Sequence, residues 1–195
     1  MLVGPSMSKT VSRRLFLSAL AVGVPLTGFP RSMRASTLEP ETSASLTEGS
    51  RVLSFAHTHT GECLKVEYFD GGGYVPDALS TVNHFLRDFR TGAVHPIDED
   101  LLDLLHNLRG LTATSKPFQV ISGYRSPQTN EMLRQLSEGV AAGSLHMKGQ
   151  AIDIRLSDIP LGTLRKAALS VKRGGVGFYP HSDFVHIDTG RVRAW

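Results

Sequence analysis

The sequence predicts an α+β fold in which a small antiparallel sheet packs against helices. Apolar residues recur at helical spacing in the first half of the folded part, and short strand-like runs cluster toward the C-terminus. In a parallel sheet built from βαβ units, strands and helices alternate regularly. The elements predicted here do not alternate in that way. The chain has 195 residues, which is enough for one domain with a hydrophobic core and further sequence at one end.

Four elements are predicted in the first half of the domain. They are strands over 51–57 and 63–69 and helices over 76–90 and 98–111. The strands form a hairpin because Thr60-Gly61 lies between them. The first helix ends at Thr91-Gly92, and the second begins with an acidic turn and ends near Gly110.

The second half contains a strand, two helices and two strand-like runs. They are the strand 118–122, the helices 127–136 and 160–171, and the runs 144–154 and 182–188. Ser126 is a typical N-cap, and Pro127 is a typical first residue of the helix that follows it. In the first run a glycine turn leads into an alternating segment, which predicts a strand.

Residues 1–35 are predicted to be an export signal. An apolar run over 15–26 follows Arg13-Arg14, and it is too short to cross a bilayer comfortably. Residues 12–17 resemble the twin-arginine export motif, in which two arginines precede hydrophobic residues. A buried helix is the alternative, but glycines and prolines would interrupt it. We therefore expect a periplasmic protein that is exported by the twin-arginine route.

A flexible spacer is predicted over 36–50, and the folded domain over 51–195. The spacer is rich in Ser, Thr, Glu and Pro and has few large apolar residues. Ala35 fits the last position of a cleaved signal, but Met33 is larger than the small residue usual two positions earlier. Failed cleavage would leave the signal as a membrane anchor.

The charge of the chain after residue 35 argues against nucleic-acid binding. The whole chain has a net charge of +3, but residues 1–35 contain five basic residues and no acidic residue. Without them the net charge is −2, so the basic character belongs to the signal. The single cysteine, Cys63, cannot form an internal disulfide, and we expect it to be a small buried residue.

Two short groups, His146-x6-Asp153 and Asp183-x-x-His186, predict a metal site. Each group pairs a histidine with an acid among strand-forming apolar residues, where a titratable side chain needs a partner. Two histidines and one carboxylate give zinc three ligands and leave a fourth position open, as in catalytic zinc sites. We therefore predict that His146, Asp153 and His186 bind zinc and that the protein is a hydrolase.

Asp183 is the candidate general base. On a strand, His186 shares a face with Phe184 and Asp188, whereas Asp183 lies at the strand entrance. A bend there would turn its carboxylate toward the metal and a nearby water, so that it takes a proton and returns it to the leaving amine. Asp188 competes as a metal ligand or as a residue that orients an imidazole.

Arg125 and His181 complete the predicted site. Arg125 follows a strand and can hold a substrate carboxylate through a forked hydrogen bond, although a structural salt bridge explains it equally well. His181 can stabilise the oxyanion that forms when water attacks a carbonyl, or it can be a solvated turn residue. His84, His95 and His106 are expected to be structural or surface residues. The pair His57-x-His59 is an alternative metal site, but it lacks an acidic partner at a defined spacing.

Three motifs resemble those of a known enzyme family. They are Ser122-Gly123-Tyr124-Arg125-Ser126, Ser144-x-His146-x-x-Gly149-x-Ala151-x-Asp153, and the segments 175–179 and 184–190. With them the chain resembles, over about 51–195, the zinc murein endopeptidases of the YcbK/MepK type. These enzymes belong to the D-alanyl-D-alanine metallopeptidase and hedgehog-like superfamily.

The resemblance implies a hedgehog-like domain with zinc bound by His146, Asp153 and His186. It also implies that Asp183 is the catalytic carboxylate, at a position where some relatives have Glu, and that Arg125 and His181 line the site. The implied activity is cleavage of stem-peptide cross-links in peptidoglycan. We expect an exported monomer whose partner is the stem peptide and not a nucleic acid. Two alternatives remain open: a D-Ala-D-Ala carboxypeptidase and a non-catalytic domain that binds the cell wall.

Overall fold

The computed structural model describes residues 49–137 and 139–195. The strands are β1 (Ser50–His57), β2 (Cys63–Asp70), β3 (Phe118–Ser122), β4 (Ala151–Arg155), β5 (Gly175–Tyr179), β6 (Phe184–Asp188) and β7 (Arg193–Ala194). The helices are α1 (Pro76–Phe85), α2 (Glu99–Thr112), α3 (Pro127–Leu136) and α4 (Leu161–Ser170), and two 3₁₀ turns cover Leu145–Lys148 and Pro180–Ser182. The predicted export signal and residues 36–48 of the predicted spacer lie outside the described residues. Within 49–137 and 139–195, none of the helices combines the length and apolar character needed to span a membrane.

These strands form one mixed sheet in the order β2-β1-β3-β4-β6-β5-β7. Four neighbouring pairs are antiparallel, whereas β1 and β3, and β5 and β7, are parallel. β1 and β3 can be parallel because α1 and α2 lie between them in the chain and provide the crossover. The predicted α+β class is confirmed, but the sheet is larger than the small antiparallel sheet expected and is not wholly antiparallel.

The hydrophobic core fixes which face of the central strands carries the polar residues. Helix α2 packs against β1 and α4 and buries five leucines: Leu101, Leu102, Leu104, Leu105 and Leu108. The central strands β4 and β6 add four fully buried side chains: Ile152, Ile154, Val185 and Ile187. Because side chains alternate along a strand, Asp153 and His186 point to the opposite face.

Two features at the edges of the sheet differ from the sequence expectations. Cys63 begins the edge strand β2 and is exposed, so the expectation of a buried cysteine is wrong. The other edge strand, β7, was not predicted, because two residues are too few to give an alternating pattern.

Helix α1 ends at Phe85, before the predicted end at residue 90, because the next segment turns to bury Asp88. The Asp88 carboxylate accepts hydrogen bonds from the backbone N–H of Arg90 (2.9 Å) and from the N–H (2.9 Å) and hydroxyl (2.6 Å) of Ser126. Ser126 is the N-cap of α3. Asp88 therefore ties the end of α1 to the start of α3.

We expect Asp88→Asn to destabilise the domain by about 2 kcal/mol at pH 7. Burial alone raises the pKa of Asp88, but the hydrogen bonds from Ser126 and Arg90 outweigh it and lower the pKa to about 2. A carboxyl whose folded pKa lies below its unfolded value of 3.8 stabilises the protein above that value. The protein loses this stabilisation by Asp88 as the pH falls from 3.8 toward 2. Urea unfolding of both proteins at pH 7, 5 and 3 measures the difference.

Asp77→Asn is the matched control, because Asp77 lies at an exposed position in the first turn of α1. It should change the free energy of unfolding by less than about 0.5 kcal/mol at each pH. If Asp88→Asn destabilises the domain as much at pH 3 as at pH 7, the ionised Asp88 carboxylate is not the source of the stability.

Candidate metal centre

Three potential metal ligands meet where β4, β6 and the 3₁₀ turn Leu145–Lys148 come together. Asp153 on β4 pairs directly with His186 on β6, and His146 lies on the turn that precedes β4. All three side chains are buried. The structure therefore brings together the three residues that were predicted to bind metal.

The donor atoms form a triangle of the size that zinc requires. His146 Nε2 lies 3.2 Å from His186 Nδ1 and 3.3 Å from Asp153 Oδ1. The third side of the triangle, from His186 Nδ1 to Asp153 Oδ1, is 2.9 Å. Tetrahedral zinc, with bonds of about 2.0–2.1 Å, holds its ligand atoms about 3.3 Å apart. The donor set and its spacing therefore fit a zinc ion.

The remaining ring nitrogens of the two histidines have partners of their own. His146 Nδ1 lies 2.8 Å from the carbonyl oxygen of Gly123, to which it donates a hydrogen bond. His186 Nε2 lies 3.0 Å from Asp188 Oδ2. These partners direct His146 Nε2 and His186 Nδ1 toward the triangle, as metal binding requires. Asp188, the competing candidate ligand, lies on the other side of the His186 ring.

The charges at the triangle favour a cation. Burial lowers the pKa of His186, but hydrogen bonds to Asp153 and Asp188 outweigh it and raise the pKa to about 9. Burial also raises the pKa of Asp153, but the two histidines outweigh it and hold this pKa well below its usual value. The raised pKa keeps His186 protonated between two carboxylates at neutral pH, and a metal held at Nδ1 would take the place of that proton.

The triangle lies in the wall of a cavity of about 460 Å³. Loop residues between 137 and 145 line one part of this cavity, and the aromatic side chains of Tyr179, Phe184 and Trp195 line another. The volume is in the range of ligand-binding pockets. A metal held by the triangle would therefore be open to a substrate on the cavity side.

Arg125 also lines the cavity. Its side chain is only 12% exposed, and Nη2 lies 3.7 Å from Asp153 Oδ2. Nη1 donates to Asn130 Oδ1 at 3.4 Å, and Asn130 in turn donates to the carbonyl oxygen of Ala141 in the cavity loop. Burial lowers the pKa of Arg125, and Asp153 opposes this shift. Arg125 Nε is buried and has no hydrogen-bond partner among the described residues.

The structure does not bring Asp183 and His181 into the cavity lining. Asp183 has a left-handed backbone conformation (φ 55°) just before β6, and its side chain is 64% exposed. Its carboxylate accepts a hydrogen bond from Arg155 Nη1 at 2.8 Å. His181 is exposed on the preceding 3₁₀ turn. The roles assigned to both residues stay predictions.

The sequence pattern did not reveal Trp195, the last residue of the chain, as part of the site. Its indole ring lies 5.3 Å from the His186 ring, and Nε1–H donates to the Tyr179 hydroxyl at 2.7 Å. A single aromatic residue at a chain end belongs to no periodic pattern. Gly177 on β5 provides the space, because a Cβ there would approach the indole ring to 2.7 Å.

We expect Gly177→Ala to push the Trp195 ring away from the cavity wall. Trp195 is the only tryptophan of the chain, so tryptophan fluorescence reports on the surroundings of this one ring. The emission maximum should move to longer wavelength as the indole becomes more solvated, and the overlap should cost about 1–3 kcal/mol of stability. Emission spectra and thermal unfolding measure the two effects.

Gly162→Ala is the control, because a Cβ at this position in α4 has nothing within 4 Å. It should leave the emission spectrum unchanged. An unchanged spectrum for folded Gly177→Ala would mean that the Trp195 ring does not pack on Gly177.

Comparison with known proteins identifies the family. Residues 45–195 match the family model described as peptidoglycan L,D-endopeptidase MepK. The chain is 47% identical over 181 residues to the peptidoglycan L,D-endopeptidase MepK of Escherichia coli strain K12, a match that covers 93% of this chain and 94% of that protein. It is 38% identical over 182 residues to the probable peptidoglycan L,D-endopeptidase MepK of Haemophilus influenzae, covering 93% and 92%. The chain therefore belongs to the peptidoglycan L,D-endopeptidase MepK family.

Proposed function

We propose that this protein is a zinc-dependent peptidoglycan L,D-endopeptidase. The observation that carries the proposal is the triangle of His146 Nε2, Asp153 Oδ1 and His186 Nδ1 in the wall of a cavity. The substrate and the bond follow from the relatives, which are named peptidoglycan L,D-endopeptidases. Because peptidoglycan lies outside the cytoplasm, the proposal includes export, directed by the twin-arginine-like segment in residues 1–35.

His146, Asp153 and His186 would hold the zinc ion and leave a fourth position toward the cavity. When bound, zinc supplies a Lewis acid that activates water and polarises the scissile carbonyl. Asp153 contributes the negative charge of the ligand set, and the two neutral imidazoles complete it. Gly123 and Asp188 keep the imidazoles in the required orientation through their second nitrogens.

Arg125 would hold a carboxylate of the stem peptide. It lies in the cavity wall beside Asp153. A planar guanidinium can bind a carboxylate through two parallel hydrogen bonds. This contact would fix the substrate relative to the three metal ligands.

Asp183 would act as the general base after its carboxylate turns away from Arg155. The ion pair with Arg155 is exposed, and such pairs contribute about 1 kcal/mol or less, so breaking it costs little. Ser182 and Phe184, on either side of Asp183 in the chain, both line the cavity. The rotated carboxylate would take a proton from the attacking water and return it to the leaving amine. Stabilisation of the oxyanion by His181 is a further part of the proposal, and it requires the same turn to move toward the cavity.

A digest of purified peptidoglycan with and without a chelator tests the activity. We expect cleavage products of L,D cross-links, identified by mass spectrometry, which disappear with the chelator and return when zinc is added. Loss of terminal D-Ala alone would favour the D-Ala-D-Ala carboxypeptidase. Binding to the wall without any product would favour a non-catalytic domain.

Substitution of Asp183 separates catalysis from metal binding. We expect Asp183→Asn to keep one zinc per chain but to lose hydrolysis, because asparagine tolerates the left-handed conformation but cannot take the proton. His146→Ala and His186→Ala should lose both zinc and activity. Metal analysis and product formation on each purified variant provide the measurements.

Arg155→Gln is the control for the ion pair, because it releases Asp183 without removing its carboxylate. It should retain activity. Retained hydrolysis in Asp183→Asn would rule out Asp183 as the base while leaving the zinc ligands in place.

A further inference from the structure

Two residues of the C-terminal segment 193–195 reach the candidate metal ligand His186: Trp195 contacts it directly, and Arg193 contacts it through Asp188. Backbone hydrogen bonds fix this segment to β5. The Trp195 N–H donates to the carbonyl oxygen of Val176 at 3.2 Å, and the Phe178 N–H donates to the carbonyl oxygen of Trp195 at 3.0 Å. Arg193 and Trp195 therefore belong to an ordered segment that lines the cavity beside His186.

Asp188 is the link between this segment and His186. Its side chain is fully buried, and Oδ2 lies 3.0 Å from His186 Nε2. Arg193 donates to both carboxylate oxygens, from Nη1 to Oδ1 at 3.0 Å and from Nη2 to Oδ2 at 2.7 Å. The backbone N–H groups of Gly175 and Gly190 donate to Oδ1 at 3.0 and 2.8 Å. The carboxylate is thus held at both oxygens and cannot rotate freely.

The two-point contact from Arg193 fixes the plane of the Asp188 carboxylate, which faces His186 Nε2. A carboxylate fixed in plane by a guanidinium fork presents an acceptor to Nε2, so that Nε2 carries the hydrogen. The lone pair of the neutral ring is then on Nδ1, which is the corner of the ligand triangle. Residues that hold a ligating imidazole in this way tune metal affinity without touching the metal.

Trp195 covers this contact on the cavity side. Its ring centre lies 5.3 Å from the His186 ring and 4.8 Å from the Arg193 guanidinium carbon. Stacking on the indole limits how far the guanidinium can move. Arg193 remains 32% exposed, so the fork is shielded only in part.

We propose that Arg193 is a positioning residue for the metal site: through Asp188 it holds His186 with Nδ1 directed at the metal. The inference rests on the proposed function, because it presumes that the triangle binds zinc. It gives strand β7 a role in metal affinity, which membership of the family does not by itself imply.

The test measures zinc affinity by chelator competition on the purified protein and the visible absorption spectrum of the cobalt-substituted protein. Arg193→Met removes the fork but keeps the length of the side chain. We expect zinc to bind about 10- to 100-fold more weakly and the cobalt bands to shift. Arg193→Lys keeps the charge but cannot make the two-point contact, so its affinity should lie between those of the wild type and Arg193→Met. Arg191→Ala, an exposed arginine two residues away, should match the wild type in both measurements.

Folded Arg193→Met with wild-type zinc affinity and an unchanged cobalt spectrum would overturn the inference. If Arg193→Met fails to fold, the Arg193→Lys protein provides the test. Wild-type zinc affinity and a wild-type cobalt spectrum in Arg193→Lys would also overturn the inference, because the two-point contact would then be unnecessary. A wild-type protein that binds no zinc would overturn the proposed function itself. The two failures are therefore distinguishable, since the first requires a wild type that binds zinc.

Discussion

The antiparallel pairing of β4 with β6 is the constraint on which the site depends. It sets Asp153 directly opposite His186, and the next residues on each strand, Ile152, Ile154, Val185 and Ile187, are fully buried in the core. A slip of one residue in either strand would turn its donor into the core and its aliphatic side chains toward the cavity. The cost of that exchange, an unpaired charge in the core and exposed apolar area, holds the register.

The buried carboxylate of Asp153 explains why the surrounding residues are so polar. An ionised group in the interior is tolerated only when it is paired and hydrogen-bonded. His146, His186 and Arg125 surround it, and the two histidines keep its pKa low against the effect of burial. A divalent cation in the triangle would satisfy the same carboxylate while displacing the His186 proton. The site is therefore electrostatically prepared for a cation, and the cavity side remains open for chemistry.

The sequence predicted those parts of the molecule that follow from local pattern. Helical and strand-like apolar patterns predicted the α+β class, and the pairing of His146 and His186 with nearby acids predicted the three candidate donors. Long-range contacts that no such pairing marks were not predictable, because no local period encodes them. Asp88 ends helix α1 early by bonding Ser126, and Trp195 reaches His186 only after β7 joins β5. The orientation of the Asp183 carboxylate depends on a left-handed turn and on Arg155, neither of which a strand pattern specifies.

Metal binding and folding are coupled by the way in which the site is assembled. His146 and Asp153 are close in sequence, but His186 comes from a separate strand, so the triangle exists only after β4 and β6 have paired. The contact between Asp188 and Arg193 forms only after β5 and β7 have joined the sheet, on the side of β6 away from β4. An unfolded chain offers the same side chains without this arrangement and binds the ion less tightly. Zinc bound at this triangle would therefore stabilise the folded state in proportion to the logarithm of its free concentration over its dissociation constant. For a chain with one cysteine and hence no internal disulfide, such an ion would supply a cross-link between distant strands that the covalent structure lacks.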